Sequence, residues 1–329
     1  MIALQNSSSS SRASAFTLSG APTKSLHPVT IAPVNNTPAT ILASYGNQGI
    51  AELADGSRVD CVYRRSVGRP LCGDRVELET TAPSAFAVAG ILPRRNVFVR
   101  ADRQNRKQAV ATNLDRVLIV IAPQPAPSKD LVERYLVAVN SLGMEPVLVF
   151  NKAELLPADR AAAAPPFNRV EQYRSLGYVV VEVSCKSTPG IEPLLPYLQD
   201  ATCILVGQSG VGKSSLANRL IPDLNLQTGA LSRASGKGTH TTTTTIMYSL
   251  PGGGRLIDSP GVWEYGLWDV SLEELCSGFP EFSAVVGHCR FNNCRHKGEP
   301  GCAVARAVSE GKVLSWRYES YLRLLAQSG

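Results

Sequence analysis

The segment from Gly207 to Ser215 has the residue types and spacing that hold phosphate groups. It contains Gly207-x4-Gly212-Lys213-Ser214, between a short apolar run and a helix-like pattern. Glycines in such a loop let backbone N–H groups turn toward phosphate oxygens, while the lysine neutralises the β and γ phosphates and the serine hydroxyl binds Mg²⁺. The sequence therefore predicts a phosphate-binding loop made of Gly207, Gln208, Ser209, Gly210, Val211, Gly212, Lys213, Ser214 and Ser215.

A second polar segment could select the base. Asn151-Lys152-Ala153-Glu154 directly follows the apolar run PVLVF and resembles the NKxD motif. The carboxylate of that motif accepts hydrogen bonds from N1–H and the exocyclic amine of guanine, which adenine cannot offer in the same way. Glu154 is longer than aspartate by one methylene group, so its carboxylate must be repositioned. Ser184-Cys185-Lys186 resembles the SAK-type loop that backs the guanine ring.

Two further segments could contact the γ-phosphate and Mg²⁺. Asp258-Ser259-Pro260-Gly261 follows the strand-like run RLI and matches the DxxG motif, whose acid reaches Mg²⁺ through water and whose glycine N–H meets the γ-phosphate. The threonine-rich segment before it should supply a Mg²⁺ ligand. We assign Thr242 to that role beside Ser214, although the repeated threonines leave the register ambiguous.

A cysteine and histidine cluster near the C-terminus has the spacing of a metal site. It reads Cys289-x4-Cys294-x-His296-x5-Cys302. Three thiolates and one imidazole satisfy tetrahedral Zn²⁺ and leave no position for water, so one structural zinc per chain is predicted. His288 is the competing nitrogen ligand and ranks below His296. The other five of the eight cysteines are scattered, which favours a reduced compartment over a disulfide framework.

These motifs need a sheet to position them. Apolar runs at 116–122, 146–150, 178–184 and 202–207 alternate with helical segments, which predicts an α/β domain with a parallel sheet. Short alternating strands between about 39 and 106, with a turn at Asp55-Gly56, predict a small β-barrel of the oligonucleotide-binding (OB) type. A basic edge favours RNA as its ligand; its cations are Arg94, Arg95, Arg100, Arg103, Arg106 and Lys107.

The order of the motifs is unusual, because the base-selecting segments precede the phosphate loop. Each motif sits at its own strand end, so a permuted chain can assemble the same site if the original termini were close enough to join. The chain thereby resembles the circularly permuted GTPases. The basic barrel before that domain and the cysteine cluster after it make the chain, over about residues 39 to 329, similar to the RsgA (YjeQ/YloQ) family of small-ribosomal-subunit biogenesis GTPases.

The resemblance implies a domain order and an activity. The expected order is a disordered tail (1–38), an OB-fold RNA-binding domain (39–107), a circularly permuted GTPase domain (108–268) and a zinc-binding helical domain (269–329). From the resemblance we expect a monomer that binds the small (30S) ribosomal subunit and its 16S-type rRNA. It would assist late maturation of the subunit. GTP hydrolysis to GDP and phosphate should be slow alone and faster on the subunit.

The resemblance also points to the residue that would orient the attacking water. Ras-type GTPases use a glutamine just after DxxG, whereas this chain has Val262 there. The family points to His240 as the replacement, because a neutral imidazole could position water or accept its proton.

A different class of protein stays open at this point. Glu154 leaves room for a zinc-containing RNA-binding protein whose nucleotide pocket is passive or binds ATP. A nucleotide kinase would leave the NKAE and DSPG segments without a purpose.

Composition sets the broad class. The chain has 329 residues, a hydrophobic fraction of 44%, a charged fraction of 18% and a formal net charge of +6. No apolar run approaches the ~20 residues that span a bilayer, so we expect a soluble, cytoplasmic protein. The first 38 residues are rich in Ser, Thr, Ala and Pro, with no acid before Glu52, which predicts a disordered tail. An organelle transit peptide is the alternative, although such peptides are usually richer in arginine.

Overall fold

The computed structural model describes residues 36–101, 107–221, 245–259 and 270–327. Most of the predicted tail lies outside these ranges, and the predicted domain boundaries stay a prediction. None of the helices in these ranges is long and apolar enough to cross a membrane.

Five strands near the N-terminal end close into a barrel. They are β1 (Thr37–Tyr45), β2 (Gln48–Leu53), β3 (Arg58–Tyr63), β4 (Arg75–Ala82) and β5 (Ala85–Ile91). The order is β1-β2-β3-β5-β4, and β4 returns to pair with β1; only the β3–β5 pair is parallel. Alternating side chains fill the interior, including Ile41, Val76, Leu78 and Val88. The β-barrel predicted from short alternating strands is therefore confirmed, with the OB-like strand order.

A two-stranded hairpin follows the barrel and takes up part of the predicted basic edge. Its strands are β6 (Val97–Ala101) and β7 (Lys107–Thr112). Three cations of that edge pair with acids of the protein itself: Arg94 with Asp74 at 2.7 Å, Arg95 with Asp115 at 2.8 Å and Lys107 with Glu274 at 3.4 Å. Asp74 is fully buried, so Arg94 is held within the protein, whereas the Arg95 and Lys107 side chains stay 61% and 49% exposed and remain accessible to RNA.

The following segment forms the predicted α/β sheet. Its strands are β8 (Arg116–Ile121), β9 (Glu145–Phe150), β10 (Val179–Glu182), β11 (Thr202–Val206), β12 (Ile246–Ser249) and β13 (Arg255–Asp258). They lie in the order β10-β9-β8-β11-β13-β12, and all pairs are parallel except β12 with β13. The helices among them are α1 (Leu131–Ser141), α2 (Val170–Ser175) and α3 (Lys213–Leu220). Near-continuous apolar strands are buried here, as parallel sheets require.

The barrel and the sheet are joined edge to edge. Strand β1 pairs with β12 at Ala43 and Ile246. The Glu52 carboxylate of β2 accepts from the Arg255 guanidinium of β13 at 2.6 Å. The two sheets are therefore hydrogen bonded as one surface at this edge.

The C-terminal part is helical. It contains α4 (Leu272–Ser277), α5 (Ala303–Ser309) and α6 (Ser315–Gln327), with short 3-10 turns at Pro280–Phe282 and Val286–His288. Helix α4 begins with a capping box between Ser271 and Glu274, which satisfies two backbone donors reciprocally. Between α5 and α6, Gly311 has φ 71°, a left-handed conformation that ends helices and suits glycine.

Candidate nucleotide site and metal centre

The phosphate loop lies between the end of β11 and the start of α3. Gly207, Gly210 and Gly212 have φ values of 144°, 78° and 97°, which glycine adopts without strain. A side chain at Gly207 would collide with the Val120 carbonyl, and one at Gly212 with the Asn151 amide. Glycine is therefore required here both for backbone conformation and for the close approach of neighbouring segments.

Lys213 lies at the centre of this loop. Its side chain is only 8% exposed, and its Nζ donates to the carbonyl oxygens of Gly207 at 2.6 Å and Gln208 at 2.5 Å. Burial lowers the pKa of Lys213 to about 8, and the Asp258 carboxylate partly offsets that shift. Burial likewise raises the pKa of Asp258 while Lys213 opposes the rise. The Lys213 ammonium and the acid of the DSPG segment therefore lie close enough to interact.

The NKAE segment is hydrogen bonded to the loops that follow β8 and β11. The Asn151 side chain is 1% exposed, and its Nδ2 donates to the Val211 carbonyl at 2.9 Å. Lys152 Nζ donates to the carbonyls of Gln124 at 2.6 Å and Gly210 at 2.7 Å. Since Gln124 follows β8, the ends of three adjacent parallel strands meet at one lysine.

Asn151 and Glu154 have side-chain oxygens that accept no hydrogen bond within the described part of the protein. The buried Asn151 Oδ1 has no hydrogen-bond partner in the part of the chain that the structure describes. Glu154 is exposed, in a 3-10 turn at Ala153–Leu155. The turn is fixed by the Ala153 N–H, which donates to the Val183 carbonyl at 3.1 Å. Acceptors on a fixed segment are what recognition of purine donors needs.

The Ser184-Cys185-Lys186 loop is held beside this segment. Ser184 Oγ accepts from the N–H groups of Lys186 at 3.1 Å and Ser187 at 3.0 Å. Arg219, on α3, donates to the Cys185 carbonyl at 3.1 Å. Burial raises the pKa of Cys185, Arg219 opposes that rise and Glu154 adds to it, so both charges lie near this thiol. Sequence reasoning missed Arg219, because only the folded chain brings α3 to this loop.

The remaining predicted positions of the nucleotide site divide into two groups. Ser209, Ser214 and Ser215 are exposed at the loop and at the start of α3. His240, Thr242 and Gly261 lie outside the described residues.

The predicted metal ligands converge. The ligand atoms of Cys289, Cys294, His296 and Cys302 all lie within 4.8 Å of one another. His296 directs Nδ1 to the cluster, 3.5 Å from Cys289 Sγ and 3.7 Å from Cys302 Sγ. His288 is exposed and is not in the cluster, so the choice of His296 over His288 agrees with this geometry.

Backbone donors surround the cluster and suit a metal-bound form. Ala303 N–H donates to Cys289 Sγ at 3.3 Å and Ala305 N–H to Cys302 Sγ at 3.4 Å. Such bonds stabilise thiolates, the form that binds metal. The Tyr318 and Tyr321 hydroxyls donate to the carbonyls of His296 and Arg295, each at 2.8 Å. Three sulfurs and one nitrogen therefore form a site that could hold a metal ion, supported by α6.

The strand ends and their loops define a class of protein. The NKAE segment after β9, the glycine-rich loop after β11 and Asp258 at the end of β13 lie at the ends of strands of one sheet, and the NKAE segment precedes the glycine-rich loop in sequence. This is a circularly permuted P-loop GTPase.

Comparison with known proteins places the chain in a family. The RsgA GTPase family model matches residues 91–268. A small ribosomal subunit biogenesis GTPase RsgA from Chromohalobacter salexigens is 44% identical over 274 residues, covering 83% of this chain and 80% of that protein. An RsgA from Pseudomonas aeruginosa is 41% identical over 286 residues, covering 87% and 84%. The chain belongs to the RsgA GTPase family.

Solved structures agree with this assignment. YjeQ from Thermotoga maritima has a TM-score of 0.72 at 28% identity, covering 89% of this chain and 98% of that one. YloQ, described as a circularly permuted GTPase, has a TM-score of 0.71 at 25% identity, covering 89% and 95%. The permuted fold predicted from the motif order is therefore confirmed.

Proposed function

We propose that this chain is a GTPase that binds the small ribosomal subunit and its 16S-type rRNA and assists late maturation of the subunit. It hydrolyses GTP slowly alone and faster on the subunit, as a cytoplasmic monomer, and its GTP-bound form favours association. The observation that carries the nucleotide part is Lys152, which joins the NKAE segment to the phosphate loop through the Gly210 carbonyl at 2.7 Å. The ribosomal part rests on the printed names of its relatives.

Different residues of the nucleotide site bind the guanine, the phosphates and the magnesium ion. Asn151, Lys152, Ala153 and Glu154 hold the guanine, with Ser184 and Cys185 behind it, and Lys213 with the loop N–H groups holds the phosphates. Magnesium bound with GTP supplies positive charge to the phosphates. Ser214 and Thr242 would be its direct ligands, and Asp258 would reach it through water. Gly261 would contact the γ-phosphate.

His240 orients the attacking water in this proposal. A His240→Ala variant should lose most of the subunit-stimulated turnover, because the water is no longer positioned, while GTP binding stays nearly intact. Stimulated turnover equal to that of the wild type would exclude the role.

The cysteine cluster holds one structural zinc ion in this proposal. A closed set of three thiolates and one imidazole is typical of structural zinc. Metal analysis of the purified protein should find about one zinc per chain. Zinc content near zero in folded protein would contradict it.

The decisive experiment is turnover of GTP and of ATP, each with and without purified small subunits. We expect GTP to be preferred and its hydrolysis to be accelerated by subunits. Lys213→Ala, which removes the phosphate cation, is the control for contaminating hydrolases. Equal use of both nucleotides without stimulation would contradict the proposal.

A further inference from the structure

Phe291 is an exposed aromatic side chain in the metal-binding segment. Its side chain is 44% exposed, and the other large hydrophobic residues that are strongly exposed in the described ranges, Val62, Leu155 and Leu195, are aliphatic. Single exposed apolar residues are common on protein surfaces. What surrounds Phe291 therefore decides whether its exposure has a use.

The backbone around Phe291 is held in place. It lies between Cys289 and Cys294, two members of the cysteine and histidine cluster. The Arg290 N–H donates to the Gly301 carbonyl at 3.0 Å, and the Cys294 N–H to the Phe291 carbonyl at 3.2 Å. Because the turn is already ordered, a ligand that stacks on the ring would lose little affinity to ordering the protein.

The cations of this segment are available for binding. Arg290, Arg295 and Lys297 are exposed, and no ion pair of their side chains with an acid occurs among the described residues. The Arg290 guanidinium lies 5.5 Å from the centroid of the Phe291 ring. Glu299, the acid of this segment, is engaged by the backbone N–H groups of Arg295 at 2.9 Å and Lys297 at 2.7 Å.

An exposed ring with an arginine against it, in a segment that carries two further unpaired cations, suits one kind of ligand. Unpaired bases stack on aromatic rings, and arginine and lysine bind the flanking phosphates. Duplex RNA hides its base faces, so the ring would add nothing to duplex binding. An acidic protein segment could use the cations but has no need of the ring.

We propose that Phe291, with Arg290 beside it, is a stacking platform for an unpaired base of ribosomal RNA, and that Arg295 and Lys297 hold the adjacent phosphates. The proposal rests on the proposed function, since it names the part of the RNA that the metal-binding segment would contact. It makes this segment a reader of single-stranded rRNA.

The test is binding of the full-length, metal-loaded protein to a short single-stranded oligoribonucleotide that carries one 2-aminopurine. Stacking quenches this fluorescent base, so the wild type should bind and quench. Phe291→Ala should bind about tenfold more weakly and lose the quenching, given the usual contribution of one stacked base. Phe291→Tyr should retain both, and neither substitution should change affinity for a duplex of the same length.

Matched controls separate stacking from general damage. Leu195→Ala removes an apolar side chain of similar exposure, 46%, and should change nothing. Metal content and GTP turnover without subunits should be the same in all variants. Wild-type affinity and quenching in Phe291→Ala, or a Phe291→Leu variant that quenches as the wild type does, would overturn the proposal.

A protein ligand would give another pattern. Phe291→Ala would then weaken binding to small subunits and leave single-stranded RNA binding unchanged, which would also overturn the proposal. Failure of the proposed function can be told apart from failure of the stacking proposal. In the first case small subunits would not stimulate GTP turnover by the wild type.

Discussion

Glu154 stands where the guanine-binding motif has aspartate, so its side chain is longer by one methylene group. Its exposed carboxylate makes no hydrogen bond or ion pair within the described residues, although the 3-10 turn that carries it is fixed by Ala153. A carboxylate on a fixed turn can still accept two donors from guanine if the longer side chain bends back. Guanine preference in this chain should therefore depend on the charge of Glu154 more than on its length.

Substitution of Glu154 tests that dependence. Glu154→Gln keeps the length but replaces one acceptor oxygen with a donor, so GTP affinity should fall by about tenfold or more while ATP affinity stays nearly constant. Glu154→Asp should retain the preference for GTP. Glu192→Gln, at another exposed glutamate, is the control. Equal GTP affinities for Glu154→Gln and the wild type in equilibrium titrations would show that Glu154 does not read guanine.

Lys213 predicts a pH dependence of nucleotide binding. Burial lowers the pKa of Lys213 to about 8, and bound phosphates must raise it because they favour the charged amine. At pH 8 the binding of Mg-GTP should therefore take up about half a proton, and less at pH 7, where the amine is already charged. Calorimetry in buffers of different ionisation enthalpy measures this uptake. Identical heats in all buffers at pH 8 would contradict the low pKa.

The same shift affects the free protein. The folded state releases the Lys213 proton more readily than the unfolded state does, whose lysine keeps a pKa near 10.4. Between pH 8 and about 10 the unfolded state thus binds more protons, so this group raises the free energy of unfolding as pH increases across that window.

At the scale of elements, α6 is held against the start of α1 by polar contacts. Asp130, the residue before α1, accepts from Ser320 Oγ at 2.8 Å and from Arg323 Nε at 2.7 Å. Arg317, one turn earlier on α6, is fully buried and donates from Nε to Glu281 at 2.6 Å. Positions three apart share a helix face, so one face of α6 carries all three contacts.

This helix contact reaches the nucleotide site through a short loop. The segment between β8 and α1 contains Gln124, whose carbonyl accepts from Lys152, and ends at Asp130. The helix that supports the metal cluster therefore rests on the loop that contacts the NKAE segment. The DSPG segment offers a second, covalent connection, since the chain runs on from it toward α4.

Removal of the Asp130 charge should loosen this helix contact. Burial alone would raise the pKa of Asp130, but the bonds from Arg323 and Ser320 hold it below its usual value. Asp130→Asn should lower the free energy of unfolding by about 1–3 kcal/mol at pH 7, because the buried Ser320 hydroxyl and the partly exposed Arg323 guanidinium lose a charged acceptor. The difference should shrink as pH falls below about 4, because the carboxylate of the unfolded state takes up a proton there and that of the folded state does so only at lower pH.

Chemical denaturation at pH 7 and at pH 3 measures both effects. Glu319→Gln is the matched control, because Glu319 is exposed and lies 3.6 Å from the same Arg323. A surface pair of this kind contributes about 0–1 kcal/mol. An Asp130→Asn loss no larger than that of the control would show that the contact is not a stabilising one.

At the scale of the whole molecule, the barrel is joined to the edge of the nucleotide domain formed by β12 and β13. Strand β12 begins just after the threonine-rich segment and pairs with barrel strand β1, while β13 ends at Asp258 and carries Arg255 to Glu52 of the barrel. Under the proposed function, RNA bound to the barrel would bias the strands next to the threonine-rich and DSPG segments. Coupling between two binding sites typically changes their affinities by about 5–150-fold.

Charge reversal of the Arg255–Glu52 pair tests this coupling. Glu52→Lys or Arg255→Glu alone should reduce subunit-stimulated GTP turnover by about fivefold or more, with little change in turnover without subunits. The double variant restores an opposite pair and should recover much of the stimulation. Arg64→Glu, at a more exposed barrel cation that pairs with Glu79, is the control. Full stimulation in both single variants would exclude the pair from the coupling.

Local patterns in the sequence were sufficient for the motifs and their elements. The phosphate loop, the NKAE segment, the barrel turns and the spacing of the metal ligands follow from residue types at short separations, where backbone geometry fixes which side chains are neighbours. The late position of the phosphate loop also revealed the permuted order, because each motif marks the end of its own strand.

The tertiary structure decided the partners of those motifs. The sequence does not show that Arg219 reaches the Cys185 carbonyl, that Arg94 and Arg95 pair within the protein, or that Asp130 binds α6. Such partners are distant in sequence, and several cations compete for each acid, so the choice depends on which surfaces meet after the strands are ordered. The sequence thus determined the chemistry of the sites, and the fold determined how the barrel, the nucleotide site and the cysteine and histidine cluster are connected.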